Sequence, residues 1–208
     1  MKLIASLLGF WMALSALSAT ALPVAQAWPM FNGTNLNGWI AMQSAQFSAT
    51  NGVIHLEKGR GWLRSVQIHG NFILTVDWRG LEKGYNSGIF VRAGLTGNPW
   101  PDNVWQINTK QTGIGELLEG PKRLIPSGVP PVPAGQWVTF RIEARGTRLT
   151  LSVNGKKAWT YDHLNPATGF IGLQAEGKPF EFRNLQITEL PPSSVSILLT
   201  PSRQQGMD

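Results

Sequence analysis

The chain reads as all-β, an antiparallel two-sheet sandwich, on three observations. Apolar and polar side chains alternate over short runs, turns bearing Gly or Pro separate those runs, and no stretch keeps a helical period for three turns. The clearest run is Asn71–Arg79, where Phe72, Leu74, Val76 and Trp78 share one face and Thr75, Asp77 and Arg79 the other. Upstream, 52–57 and 61–66 are strand candidates around the turn Gly59-Arg60-Gly61. Downstream come 87–92 and 103–108, divided by Gly97-Asn98-Pro99. Trp137–Ala144 alternates Val138, Phe140 and Ile142 against Thr139, Arg141 and Glu143. Leu149, Leu151 and Val153 then alternate with Thr150, Ser152 and Asn154. Asn154-Gly155 predicts a type I′ hairpin, because both residues tolerate positive φ. After Asn165-Pro166, the candidates 169–174 and 180–189 complete the set. Strands this short at this spacing, with almost no helix, predict a sandwich or barrel, and the eight tryptophans after residue 27 suit a two-sheet core. Residues 120–135 are Pro-rich and read as an ordered surface loop.

Composition narrows the function. The 208 residues include no Cys, so disulfides, Cys-ligated zinc, iron–sulfur clusters and thiol nucleophiles are excluded. A 42% hydrophobic and 10% aromatic content is too rich for disorder. The 18 Lys+Arg exceed the 12 Asp+Glu, but no run of five or more charges occurs, which argues for solubility and against a nucleic-acid partner. Met1-Lys2, an apolar run from Leu3 to Leu17, and Ala25-Gln26-Ala27 have the form of a secretory leader cut after Ala27. The competing reading is a membrane anchor, but the run is shorter than a span requires and is diluted by Ser6, Gly9, Ser15 and Ser18. The expectation is therefore a cleaved leader at 1–27, one sandwich domain at 28–190 and a loose tail at 191–208. The protein would be periplasmic or secreted, with no stable membrane anchor.

No nucleophile elbow, zinc-protease helix or phosphate loop is present. His55, His69 and His163 are isolated, and the expectation is surface or turn positions. Other polar residues interrupt strands that otherwise suit burial. Alternation puts Gly88, Phe90 and Arg92 on one face of 87–92, Gln106 and Asn108 together on 103–108, and Gln174 with Glu176 near the end of another strand. Glu116 and Glu119 flank a Leu pair and need not face the same way. Amides, a guanidinium, carboxylates and a nearby tryptophan are what a sugar site requires. A solvated sheet face with ordinary cross-strand pairs explains the same residues.

Several segments resemble one family. Phe31-Asn32-Gly33 through Leu36-Asn37-Gly38-Trp39 is similar to its FNGxxLxGW opening, and Asn86-Ser87-Gly88-Ile89-Phe90-Val91-Arg92 to its NSGIFLR strand. Gly135-Gln136-Trp137, Asn154-Gly155 and Ile171-Gly172-Leu173-Gln174 through Phe182-Arg183-Asn184-Leu185 follow its order. By these motifs the chain resembles the 3-keto-disaccharide hydrolases from about Phe31 to Leu190. That resemblance implies a concanavalin A-like jelly-roll sandwich acting on glycosides whose glucose carries a C3 ketone. The ketone acidifies the C2 proton, so a modest base removes it, the C1 substituent leaves, and water adds back. The paired carboxylates of ordinary glycosidases are not needed.

The sequence departs from the family at two motifs. Where many members read E-x-Q-I-x-D, this chain has Val104-Trp105-Gln106-Ile107-Asn108-Thr109. Where many read LQDHG, it has Leu173-Gln174-Ala175-Glu176-Gly177. The resemblance allows a divalent metal, but the acidic motif that would hold it is degraded, so no metal ligand is assigned. It implies Glu176 as base, with Glu116 and Glu119 in reserve, and Arg92 as the group polarising a carbonyl. Asn86, Gln106, Asn108, Glu116, Gln174 and Trp105 are the expected substrate-binding residues. The alternative is a non-catalytic carbohydrate-binding sandwich that stacks sugars on a tryptophan such as Trp105 or Trp100.

Overall fold

In the computed structural model, residues 26–102 and 104–192 are described, and they form two antiparallel sheets with no helix among them. All but the last two residues of the expected leader, and most of the expected tail, lie outside these residues. In chain order the strands are β1 (Ala27–Pro29), β2 (Trp39–Gln43), β3 (Gln46–Thr50), β4 (Val53–Lys58), β5 (Arg60–His69), β6 (Phe72–Gly80), β7 (Gly88–Ala93) and β8 (Trp105–Asn108). They continue as β9 (Leu117–Glu119), β10 (Lys122–Ile125), β11 (Val138–Arg145), β12 (Arg148–Val153), β13 (Lys156–Tyr161), β14 (Gly169–Glu176) and β15 (Phe180–Glu189). One sheet runs β13-β12-β11-β6-β15-β4-β3, with β1 added beside β15. The other runs β10-β9-β8-β7-β14-β5-β2. The two-sheet antiparallel jelly roll implied by the sequence is the fold of the chain.

The first sheet obeys simple alternation. Along β6, Phe72, Leu74, Val76 and Trp78 are buried between the sheets. Asp77, on the opposite face, accepts a hydrogen bond from Thr139 Oγ1 at 2.6 Å and one from Asn184 Nδ2 at 2.7 Å. A core-inward, polar-outward strand is the expected form for a sheet with one wet face. At the centre of the core, Trp78 stacks on Phe180 with centroids 5.6 Å apart, and Tyr85 and Phe140 meet it edge-on. The β12–β13 hairpin turns on Asn154 (φ 48°) and Gly155 (φ 79°), the geometry that the Asn-Gly pair predicts.

The second sheet differs in being covered on both faces at its middle. Every residue of β7 and β8 is buried, as is nearly all of β14. Ile89, Val91, Ile107, Leu173 and Ala175 fill the core between the sheets. On the far side, Trp62 of β5, Phe90 of β7, Ala93 and Val104 form a second apolar cluster against Met42, Trp100 and Phe170. Trp100 and Val104, from the connection after β7, supply part of this cover, and a cleft lined by Gln106 and Gln174 opens beside it.

Several expectations are corrected. The stretch 120–135 is not entirely loop, since β10 occupies its start and pairs with β9. His69 is not a surface turn residue. It ends β5 buried, with Nδ1 2.6 Å from Glu189 Oε1.

Candidate functional site

The cleft is built by strand period. Odd-numbered residues of β14 enter the core, so Gln174 and Glu176 project to the outer face; on β8, Gln106 and Asn108 do the same. β7 lies between these strands and carries Gly88 there. A Cβ at Gly88 would lie 2.5 Å from Gln106 Nε2 and 2.7 Å from Gln106 Cγ, so the missing side chain is what lets the Gln106 amide lie across β7. It donates from Nε2 to Gln174 Oε1 at 3.1 Å, joining the two amides into one wall.

On one side of this wall is a hollow of about 400 Å³ lined by Asn86, Gln106, Asn108, Lys110, Glu116, Leu118, Arg123, Gln174 and Glu176. Asn108 Nδ2 donates to Glu116 Oε2 at 3.0 Å, and Arg123 Nη1 donates to Glu116 Oε1 at 3.3 Å. Asn108 Oδ1 accepts from the Lys110 amide at 3.1 Å, which turns the chain after β8 so that Lys110 sits at the hollow. Glu116 is therefore committed to its neighbours, while among the described residues Glu176 has only the Arg60 guanidinium, with Nη2 3.9 Å from its Oε1. Burial raises the Glu176 pKa above the ordinary glutamate value, and the positive charges of Arg60 and Lys110 offset part of that rise. A carboxyl so placed is a better proton acceptor than a solvated one once ionised.

Six of the residues singled out by the sequence therefore come together: Asn86, Gln106, Asn108, Glu116, Gln174 and Glu176. Arg92 does not join them. It takes φ 49° where the β7–β14 register shifts, and it is fully buried. Its guanidinium donates to the carbonyls of Gly70, Gly146 and Pro166 and to Asn71 Oδ1. Ala93 pairs with Phe170, six residues from Glu176 along β14, so Arg92 lies roughly 20 Å from that carboxyl. Trp105 is also displaced. It shares the core face with Ile107, stacks tilted against Tyr161 and donates from Nε1 to the Asn165 carbonyl. Glu119 turns away from the hollow, toward Asp102 and His163. Sequence reasoning missed Lys110, Arg123 and Arg60. Lys110 carried a faint signal, since it stands two residues beyond Asn108 on the same period.

The donor set does not fit a hard divalent cation. Such an ion needs several oxygen ligands, and among the described residues no three of His, Asp and Glu converge. Amides, an ammonium and guanidinium groups fill the remaining positions, as suits hydroxyl and carbonyl oxygens.

Comparison with known proteins gives the family and the fold. Residues 26–188 match the family model described as the 3-keto-alpha-glucoside-1,2-lyase-like domain. No curated protein matches the chain by sequence. Among solved structures, a candidate glycosyl hydrolase of Parabacteroides distasonis ATCC 8503 is similar, with TM-score 0.65 and 18% identity, over 79% of this chain and 94% of that one. The carbohydrate-binding module CBM66 of Bacillus subtilis is similar with TM-score 0.61 and 14% identity, over 76% of this chain and 98% of that one. The β-glucanase of Bacillus licheniformis follows with TM-score 0.53 and 16% identity, over 82% and 100%. At these identities the likeness establishes the shared sandwich.

Proposed function

The chain belongs to the 3-keto-alpha-glucoside-1,2-lyase-like domain family, a glycoside hydrolase-like or carbohydrate-binding β-sandwich, and on that premise we propose that it cleaves 3-keto-glycosides beside the Gln106–Gln174 wall. The observation that carries this reading is the Glu176 carboxyl. It is half-buried, pushed above its ordinary pKa and set among amides and cations. Glu176 takes the C2 proton of the keto sugar. The released electron pair forms the C1–C2 double bond as the C1–oxygen bond breaks, and the departing oxygen recovers the proton from the Glu176 carboxyl. Negative charge builds on the C3 oxygen meanwhile, and Lys110 and Arg123 are the cations at hand to meet it. Water then adds across the double bond, hydroxyl to C1 and hydrogen to C2, to give the free keto sugar. Asn86, Asn108, Gln106 and Gln174 hold the ring hydroxyls. We also propose that residues 1–27 export the chain, which places this reaction outside the cytoplasm.

A second reading, sugar binding without turnover, draws support from the same amide-rich wall and from the commitment of Glu116 to Asn108 and Arg123. One experiment separates the two. The protein is incubated with a 3-keto-disaccharide and with its unoxidised parent, and products are followed by mass spectrometry. The lyase reading expects cleavage of the oxidised sugar alone, lost at least a hundredfold in Glu176→Gln. Saturable binding with no product from either sugar establishes the binding module instead. Full activity in Glu176→Gln removes that carboxyl from the chemistry.

A further inference from the structure

The amide wall has two sides, and the second opens onto a hollow of about 540 Å³. Its lining is of another kind: Trp100, Pro101, Val104 and Pro121, with Asn98 and Asp102 exposed at the rim. Trp100 has already used its one polar group, since Nε1 donates to the Ala175 carbonyl at 3.2 Å, so only its ring remains to offer. Arg60 lies over that ring at 4.9 Å and also reaches Glu176, so the indole is held in register with the carboxyl.

Resting on the lyase reading above, we propose that this hollow seats the leaving group and selects a flat aromatic alcohol over a second sugar. The orientation follows from charge. The C3 oxygen becomes negative during the reaction and must lie where Lys110 and Arg123 are, on the Glu176 side of the wall. The C1 substituent therefore projects across Gln106 and Gln174 into the Trp100 hollow. A second sugar there would bring several hydroxyls against proline, valine and an indole face. The amide wall could answer two of them, through Gln106 Oε1 and Gln174 Nε2, the atoms its internal bond leaves free. A planar ring needs no such partners and gains stacking on Trp100.

The test compares methyl and 4-nitrophenyl 3-keto-glucosides of both anomers with a 3-keto-disaccharide. The readout is KM, because nitrophenolate is the better leaving group and would raise kcat on chemistry alone. The aryl substrate is expected to have a KM at least tenfold below the other two, and 4-nitrophenol to inhibit competitively. In Trp100→Ala the ratio of aryl to methyl KM is expected to rise about tenfold, while Trp100→Phe keeps most of the preference. Equal KM values across the three substrates, or an unchanged ratio in folded Trp100→Ala, overturn the inference while leaving the reaction intact. If no glycoside is cleaved, the lyase reading fails, and calorimetric titration of the wild-type protein with 4-nitrophenol still decides the hollow. Saturable binding that glucose does not match supports an aromatic seat there, and no binding removes it.

Discussion

Glu176 shows how one side chain ties function to stability. Its carboxyl has a higher pKa folded than unfolded, with burial as the main cause. Between those two values this carboxyl is more protonated in the folded chain than in the unfolded one, so its contribution to stability falls as pH rises through that window and is flat above it. Glu176→Gln abolishes the effect. Thermal melts of the two proteins are expected to coincide below the ordinary glutamate value. Above the raised one the variant should melt higher by roughly 2 °C. A wild-type protein that gains stability relative to the variant across the window would contradict the burial of this group. The lyase reading places the acid limb of kcat/KM in the same window, since the base must be ionised to act. Lys110 and Arg60 set how far the limb is displaced, and beyond the faint period that links Lys110 to Asn108 the sequence does not join either to Glu176. Arg60 stands on β5 and Lys110 beyond β8, and only the strand order, which puts β7 and β14 between them, brings both to one carboxyl.

Strands were legible in proportion to how differently their two faces are buried. β6 and β11 alternate almost perfectly because they sit between neighbours with one face in the core and one in water. β2, β3 and β13 carry no such signal because they are edge strands. WIAMQ, QFSAT and KKAWTY are mostly exposed or half-exposed along their length, so no period of two is imposed on them. The same period correctly paired Gln106 with Asn108 and Gln174 with Glu176. It also places Trp105 on the opposite face from Gln106, where the structure has it. It failed at Arg92, because alternation holds only while backbone dihedrals stay extended, and a positive φ at Arg92 swings the side chain off the strand face. Arg92 serves the fold by saturating carbonyls from three separate loops. Arg92→Met leaves those carbonyls unpaired and is expected to cost about 3 kcal/mol, read as a melting temperature lower by roughly 6–10 °C. Cleavage measured well below that temperature should be little changed. A loss of turnover without a loss of stability would return Arg92 to the active site.

At the scale of the whole molecule, the two sheets divide the labour. The sheet containing β6 and β15 keeps a wet, ion-paired outer face, while the sheet containing β7 and β14 carries the cleft on its covered one. The N-terminal strand β1 belongs to the first, pairing Trp28 with Ile187 and Pro29 with Gln186. A leader cut after Ala27 would leave both pairs in place. The intact mass of protein recovered from outside the cytoplasm is expected to begin at Trp28, and its melting temperature to match that of a chain starting at Gln26. A mass that includes the first 27 residues would refute the leader. The tryptophans give this architecture an optical use. Trp62 and Trp78 are sealed in apolar surroundings and should emit in the blue, whereas half-buried Trp100 borders the cleft. Quenching of the red side of the emission then reports an occupied cleft, and a red shift of the blue side reports the sheets coming apart, so one spectrum distinguishes binding from unfolding.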